Sequence, residues 1–360
     1  MRTNSPLLQS GFLLPFASYR TVCLVVYFMR FLLFLFLVAL AAHRPVEWRR
    51  FNITGTAQGT TYSIVYYDKD SVVTKAMIDL ELMKLDSSLS LYKPYSRINQ
   101  FNNSAKGIIL DKHLLQVVKK SIDTYKATNG LFDITVQPLV QAWGFGVTKT
   151  TAVPDAATIK NVLSCVNTKL LQLKGGSLGK SKPCVKIDLN GIAQGYSVDR
   201  LAKLLEEQGI KNYIVELGGE IRVRGRKQPS GEKMKIGIES PAEDAFEQHL
   251  LQKIIALDKG AITTSGSYRK FYESNGQKIT HLINPKTGYP HKNELISVTV
   301  YAKDAMTADA YDNALMLMGL KQALAFVERR KDLAAYFVYK NANGSITDTA
   351  SSAFSKLMNP

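Results

Sequence analysis

Acidic residues are missing from the first 42 positions of this 360-residue chain. A folded, water-facing segment carries charges of both signs, so this stretch is set apart from the globular part and read as a targeting segment. Cysteine is scarce as well: Cys23, Cys165 and Cys184 are the whole supply, too few for a disulfide framework to stand in for a hydrophobic core. Cys165 and Cys184 either pair in an oxidising compartment or stay buried as thiols. No cysteine follows the apolar N-terminal run, where His43 succeeds Ala42, which excludes a lipoprotein start. Low-complexity linkers and internal repeats are absent, so solenoids and strings of small domains are excluded. The chain also lacks G-x-G-x-x-G and the Gly-Lys-Ser/Thr of a P-loop where its glycine turn meets a helix, and a Rossmann or P-loop assignment falls with them.

What is present begins with Thr21 to Ala42, an apolar run broken only by Arg30 and long enough to cross a bilayer core of about 30 Å. A start at Met29 would instead make Arg30 a minimal basic region, Phe31 to Val38 the apolar region and Ala39-Leu40-Ala41 a cleavage site. Both readings predict export to the periplasmic face of the inner membrane. Residues 1–42 are then a signal peptide or membrane anchor, 43–54 a linker, 55–345 one large domain and 346–360 a C-terminal tail. The net charge is +16, and +13 with Arg2, Arg20 and Arg30 set aside. Its cations are spread along the chain, without a basic helix or interleaved aromatics, so nucleic acid is not an expected partner and most are solvated surface near a membrane.

Alternation over Thr60 to Tyr67 puts Tyr62, Ile64 and Tyr66 on one face of a strand. Thr74 to Leu89 and Asp111 to Thr128 read as helices, the second stopped by a left-handed Asn129-Gly130 cap. Pro154 to Leu163 reads as a short helix with Asp155 in its first turn, and Lys169 to Leu173 and Cys184 to Leu189 as strands around a Gly/Ser/Lys loop. A helix over Ile192 to Gln208 leads to a strand over Tyr213 to Leu217 that ends in Gly218-Gly219. Strands dominate Ile221 to Thr264 and recur at Glu294 to Tyr301; helices at Ala305 to Met318 and Lys321 to Arg329 precede a closing strand, Leu333 to Tyr339. Regular βαβ alternation is missing, which predicts an α+β fold, a single large domain of mixed sheets with packed helices.

Four clusters carry chemistry. Gly130-Leu131-Phe132-Asp133-Ile134-Thr135, with Trp143-Gly144-Phe145-Gly146 after it, can clamp a planar ring and bond to its edge. Ile187-Asp188-Leu189-Asn190-Gly191-Ile192-Ala193-Gln194-Gly195-Tyr196 runs from a strand end through a glycine turn into a helix, a geometry that brings backbone N–H groups to a phosphate. Thr263-Thr264-Ser265-Gly266 and His281 to Gly288 place one of the chain's five histidines before a Pro/Gly loop, where an imidazole can exchange protons with a ligand. In Ala308-Asp309-Ala310-Tyr311-Asp312-Asn313, Asp309 and Asn313 stand at i and i+4 on one helical face, two oxygens suited to a hard cation such as magnesium.

In order and type these clusters resemble the ApbE-like FAD:protein FMN transferases over nearly all of residues 55 to 330. The resemblance also takes in Gln58-Gly59-Thr60, Leu89-Ser90-Leu91-Tyr92 and Gly218-Gly219. It implies an ApbE-type fold that holds FAD in an extended groove and moves its FMN half, with magnesium, to a threonine of a target protein while AMP leaves. Gln58 and Tyr92 would lie against the flavin end, Leu131, Phe132 and Asp133 would line the groove, and Asp188, Gln194 and Ile283 would contact FAD. Asp309, Asn313 and a carbonyl near Gly191 would grip the metal, and His281 would be the base. The implied acceptors are flavin-carrying subunits of membrane redox complexes.

Three positions depart from the family pattern: Asn313 for threonine, Gln194 for lysine and Asn284 for aspartate. Asn313 keeps a neutral oxygen ligand, Gln194 loses a cation that could face a phosphate, and Asn284 removes an acid near His281. The rival readings are a magnesium-dependent FAD pyrophosphatase, in which water takes the place of the threonine, and an exported FAD-binding protein without turnover. A basic module for membrane surfaces or nucleic acid is suggested by charge alone.

Overall fold

The computed structural model describes residues 24, 26–35, 47–148, 150, 152–239, 251–268, 271–274 and 276–358. Residues 26–35 form a helix with exposed side chains, and among the described residues no helix is long and apolar enough to cross a membrane. The remainder of the 1–42 signal or anchor lies outside the described residues. A separate compact unit starts at Trp48.

That unit opens with β1 (Arg49–Ala57), β2 (Thr60–Asp68), α1 (Lys75–Leu89), α2 (Arg97–Asn103), β3 (Gly107–Ile109) and α3 (Lys112–Ala127). The middle of the chain forms α4 (Gln137–Ala142), α5 (Ala156–Leu163), β4 (Leu171–Lys174), β5 (Ser177–Lys180), α6 (Ala193–Glu207), β6 (Asn212–Leu217) and β7 (Glu220–Arg224). Next come β8 (Met234–Glu239), β9 (Leu251–Leu257), β10 (Lys259–Gly266), β11 (Phe271–Ser274), β12 (Gln277–Thr280) and β13 (Leu295–Ala302). The last elements are α7 (Ala305–Met318), α8 (Leu320–Glu328), β14 (Leu333–Lys340), β15 (Ile346–Ala350) and α9 (Ser352–Met358).

Eight strands make one antiparallel sheet in the order β1-β2-β6-β7-β10-β13-β14-β15. Both of its faces are covered, and the strand sequences show why. In β14, Leu333, Ala335 and Phe337 enter a core shared with α7 and α8. The alternate residues Ala334, Tyr336 and Val338 enter a second core with the β8–β9 pair and α9. A strand buried on both faces reads as a continuous apolar run, which LAAYFVYK is. On β2, Tyr62, Ile64 and Tyr66 face the largest core, formed with α1, α3 and α6, as their spacing predicts.

Helix α7 is buried along nearly its whole length, from Ala305 to Leu317. It starts on a doubled cap: the Asp304 carboxylate accepts the Thr307 amide, and Asp199 of α6 accepts the Ala305 and Met306 amides at 2.9 Å each. Arg222 pairs with Asp199 from β7. Two carboxylates at the positive end of a helix satisfy its unpaired amides and its dipole together. α7 is therefore fixed to α6 and to the sheet, and so are the side chains it presents.

Four boundaries differ from the sequence reading. The linker over 43–54 ends early, because residues from Arg49 onward pair with β2. The expected Gly/Ser/Lys loop is a hairpin: Gly175 and Gly176, at φ 55° and 80°, make the two-residue turn that joins β4 to β5. Residues 184–189 belong to no strand: Asn102 takes both backbone groups of Ile187 and Lys180 takes the Val185 carbonyl. Residues 346–358 do not hang free as a tail, because β15 pairs with β14 and Phe354 of α9 is fully buried, stacked on Tyr336 at 5.8 Å.

Candidate active site

A cavity of about 580 Å³ opens where the 131–136 segment, the glycine turn before α6, the 281–285 loop and the C-terminal half of α7 converge. That is the size of a small-molecule site. Nine of the twelve residues expected at the site line it: Tyr92, Leu131, Phe132, Asp133, Asp188, Gly191, His281, Ile283 and Asn313.

The aromatic wall follows α3. Asn129 and Gly130, at φ 50° and 78°, reverse the chain so that Leu131 and Phe132 turn inward. Asp133 comes next, and both its oxygens are engaged. Oδ1 accepts the Thr135 amide at 2.8 Å and the hydroxyls of Thr135 and Thr168 at 2.6 and 2.8 Å, and Oδ2 accepts the Thr168 amide at 3.0 Å. Asp133 thus lines the cavity as a brace between two segments. Beside the 131–136 segment, the Asp188 amide donates to the Ile134 carbonyl at 2.7 Å, and its buried carboxylate accepts the Asn190 amide at 2.8 Å, which shapes the turn to Gly191. Partial burial raises the Tyr92 phenol, and the nearby Asp188 charge adds to the effect.

His281 follows β12 with its ring centroid 6.3 Å from that of Phe145 in an edge-on arrangement, and the Phe145 and Tyr272 ring centroids are 5.3 Å apart. The loop beyond it is a compact turn. Asn284 Oδ1 accepts the Lys286 and Thr287 amides, and Trp143 Nε1 donates to the Gly288 carbonyl at 2.8 Å. Asparagine and aspartate both fill such a turn, so Asn284 is explained by the loop it shapes.

Asp309 lies just behind the cavity wall and is 3% exposed. Burial pushes its carboxyl up, the Gly195 amide bond at 2.8 Å counteracts this, and Asp199 adds to the rise. Asp312 is raised further, by burial and then by Asp309. No basic side chain among the described residues offsets Asp309, so burial favours its neutral form, and a bound cation would favour the carboxylate. Asn313 directs Nδ2 to Asp312 at 2.9 Å and accepts the Ser265 hydroxyl on Oδ1 at 3.1 Å. A Cβ added to Gly191 would come 3.2 Å from that amide, a tight contact that the Asn313 side chain would have to ease. Among the described residues no three His, Cys, Asp or Glu side chains gather as a metal site. One carboxylate, one amide oxygen and one backbone carbonyl suit magnesium, which takes its other oxygens from water and phosphates.

Two expected contacts are placed elsewhere. Gln58 stands in the β1–β2 turn, and its amide donates to Ser197 at 3.0 Å. Gln194 donates to the Leu217 carbonyl at 2.9 Å and to Glu220. It fills the space over Gly218, where a Cβ would meet it at 1.8 Å. Neither lines the cavity. Residues that the sequence did not single out for a role include Tyr272, which lines it, and Ser265, which bonds Asn313. The Thr264-Ser265-Gly266 motif was visible, but its partner lies 48 positions away.

Fold and cavity together define a single-domain α+β protein whose sheet and helices present a cavity sized for a small-molecule ligand. The chain belongs to the ApbE family, whose profile matches residues 58–337. It is 36% identical over 332 residues to the FAD:protein FMN transferase of Vibrio cholerae, covering 88% of this chain and 97% of that one. The solved flavin transferase ApbE of Vibrio cholerae superposes with a TM-score of 0.78 at 33% identity, covering 86% of this chain and all of the other. The apo flavinyl transferase ApbE of Pseudomonas stutzeri gives 0.78 at 31% identity, covering 88% and 99%.

Proposed function

We propose that the protein transfers the FMN moiety of FAD to a threonine hydroxyl of an acceptor protein and releases AMP. The observation that carries this reading is a single cavity lined by His281, the Asp188–Gly191 turn and Asn313. The relatives named as FAD:protein FMN transferases, matched over most of their length, support it.

FAD joins FMN to AMP through a pyrophosphate. Attack of the threonine Oγ on the FMN phosphorus forms a phosphoester bond and breaks the P–O bond to AMP, whose oxygen keeps the electron pair. The hydroxyl proton passes to the His281 imidazole, because a threonine is a poor nucleophile near neutral pH without a base. The aromatic wall around Phe132 gives the flavin ring a flat apolar surface. Mg²⁺ held by Asp309, Asn313 and the Gly191 carbonyl would supply positive charge against the pyrophosphate.

Export to the periplasmic face of the inner membrane, with a signal peptide or anchor before residue 43, completes the reading. The Cys165–Cys184 disulfide supports it, since such bonds persist in oxidising compartments. Flavin-accepting subunits of membrane redox complexes exposed on that face are the partners we propose.

Incubation with FAD, MgCl₂ and a threonine-bearing acceptor tests the reaction. Covalent flavin fluorescence on the acceptor with matching AMP is expected, and His281→Ala should slow transfer about 10²- to 10⁴-fold. Free FMN without labelled protein would mean that water is the acceptor, and tight FAD binding without AMP would leave a carrier.

A further inference from the structure

Helix α2 is seven residues long, yet its asparagines hold two segments that each carry a cavity-lining residue. Asn99 Nδ2 donates to the carbonyls of Leu91 and Lys93 at 2.9 Å each and to that of Ser90 at 3.5 Å. It thereby gathers the irregular loop that carries Tyr92, a cavity-lining residue. One turn later Asn102, 6% exposed, donates to the Ile187 carbonyl at 2.9 Å and accepts the Ile187 amide at 2.7 Å. Such a pair of bonds is what a neighbouring strand gives to a strand residue, here supplied by a side chain to a segment that has no strand partner. Asp188, which also lines the cavity, is the next residue.

The anchoring of α2 is itself reinforced. Lys180 lies 4.7 Å over the Phe101 ring, and its ammonium donates to the Val185 carbonyl at 2.8 Å and to the Asn102 carbonyl at 3.4 Å. The Ser96 side chain caps the helix start. Satisfied buried polar networks of this kind specify one arrangement of the backbone.

We infer that Asn99 and Asn102 are positioning residues for the flavin nucleotide, and that α2 sets the placement of Tyr92 relative to Asp188 in the cavity where FAD binds. Neither asparagine lines the cavity; each acts through the backbone of a residue that does. The inference rests on the proposed function, because it takes FAD as the occupant.

The test is the FAD dependence of transfer by the full chain carrying Asn99→Ala or Asn102→Ala, with urea unfolding of each variant in parallel. KM for FAD should rise about tenfold, the scale of one lost buried hydrogen bond, and kcat should fall less than about twofold. Double-mutant cycles separate positioning from general weakening. On a Tyr92→Ala background Asn99→Ala should add less than about twofold to KM, and Asn102→Ala should behave alike on Asp188→Ala. An unchanged KM, or effects that multiply in both cycles, would overturn the inference. If Asn102→Ala does not fold, Asn102→Asp keeps the acceptor for the Ile187 amide, removes the donor and gives the same readout. A wild-type chain that transfers no FMN would sink the functional reading, whereas a transferring wild type with unmoved variants sinks only this one.

Discussion

The Gly195 amide donates to Asp309 Oδ2 at 2.8 Å, joining the first turn of α6 to α7. The approach is close enough that a Cβ on Gly195 would lie 2.3 Å from the Ala305 carbonyl oxygen and 2.7 Å from Asp309 Cβ. The glycine turn and the Asp309–Asn313 face are therefore one unit, and neither can be placed without the other.

Gly195→Ala should separate the two helices. Overpacking against backbone costs about 1–3 kcal/mol, to be read as a lowered urea midpoint. The same variant should lose part of its thermal stabilisation by MgCl₂, because Asp309 moves with the helix. A fall in stability with an unaltered magnesium response would separate the packing from the ligand site.

Asp309→Ala removes the charged ligand itself. The wild-type melting temperature should rise with MgCl₂, by the equivalent of about 2.7 kcal/mol at a concentration 100 times the dissociation constant. The variant should fold, show no such rise and transfer no FMN. Retention of full activity would refute the assignment.

The elements that could be read from sequence were those whose signal is local. Helix α7 spans Ala305–Met318 as expected, because an acidic cap, an apolar run and Gly319 mark its ends. Nine cavity residues were legible through short motifs. The rest depended on partners far along the chain. Asn102 carries no local mark, and its partner Ile187 is 85 positions away. Gln194 was expected at a phosphate, yet its environment is set by Leu217 and Glu220. Cys165 and Cys184 left two readings open until their Cα atoms were placed 5.7 Å apart.

Asp133 gives a sharper test of bracing against direct contact. Asp133→Ala leaves the amides and hydroxyls of Thr135 and Thr168 without their acceptor. Each buried donor left unsatisfied costs about 1–3 kcal/mol, so stability should fall by at least about 2 kcal/mol in urea. A variant that keeps its urea midpoint but loses FAD affinity would instead make Asp133 a ligand contact.

The disulfide closes a loop with a sequence separation of 19. Loops of that size contribute about 3 kcal/mol by restricting the unfolded chain. Cys165→Ser combined with Cys184→Ser should lower the urea midpoint accordingly. Reductant should shift the wild type to the same value and leave the variant unmoved. If reductant moves both equally, the loss does not come from this bond.

The acid limb of stability should depend on Glu81. This carboxylate of α1 is 5% exposed and meets Arg200 of α6 at 2.8 Å. Burial works to raise its pKa, but the Arg200 hydrogen bond and charge, helped by Lys84 and His113, outweigh it and leave the group below its ordinary value of 4.5. A depressed carboxyl means that the unfolded chain takes up its proton at a higher pH than the folded one. The contribution is therefore complete above the unfolded value and is lost as pH falls through the folded value. Glu81→Gln should cost most at pH 6, and its difference from wild type should shrink as urea midpoints are measured toward pH 3. His113 is also buried, with burial lowering its pKa, and it titrates in both proteins, so comparing wild type with variant largely cancels its part. A difference that stays constant across that range would mean that Glu81 stabilises by packing alone, and the α1–α6 ion pair would then have no measurable share in holding the helices together.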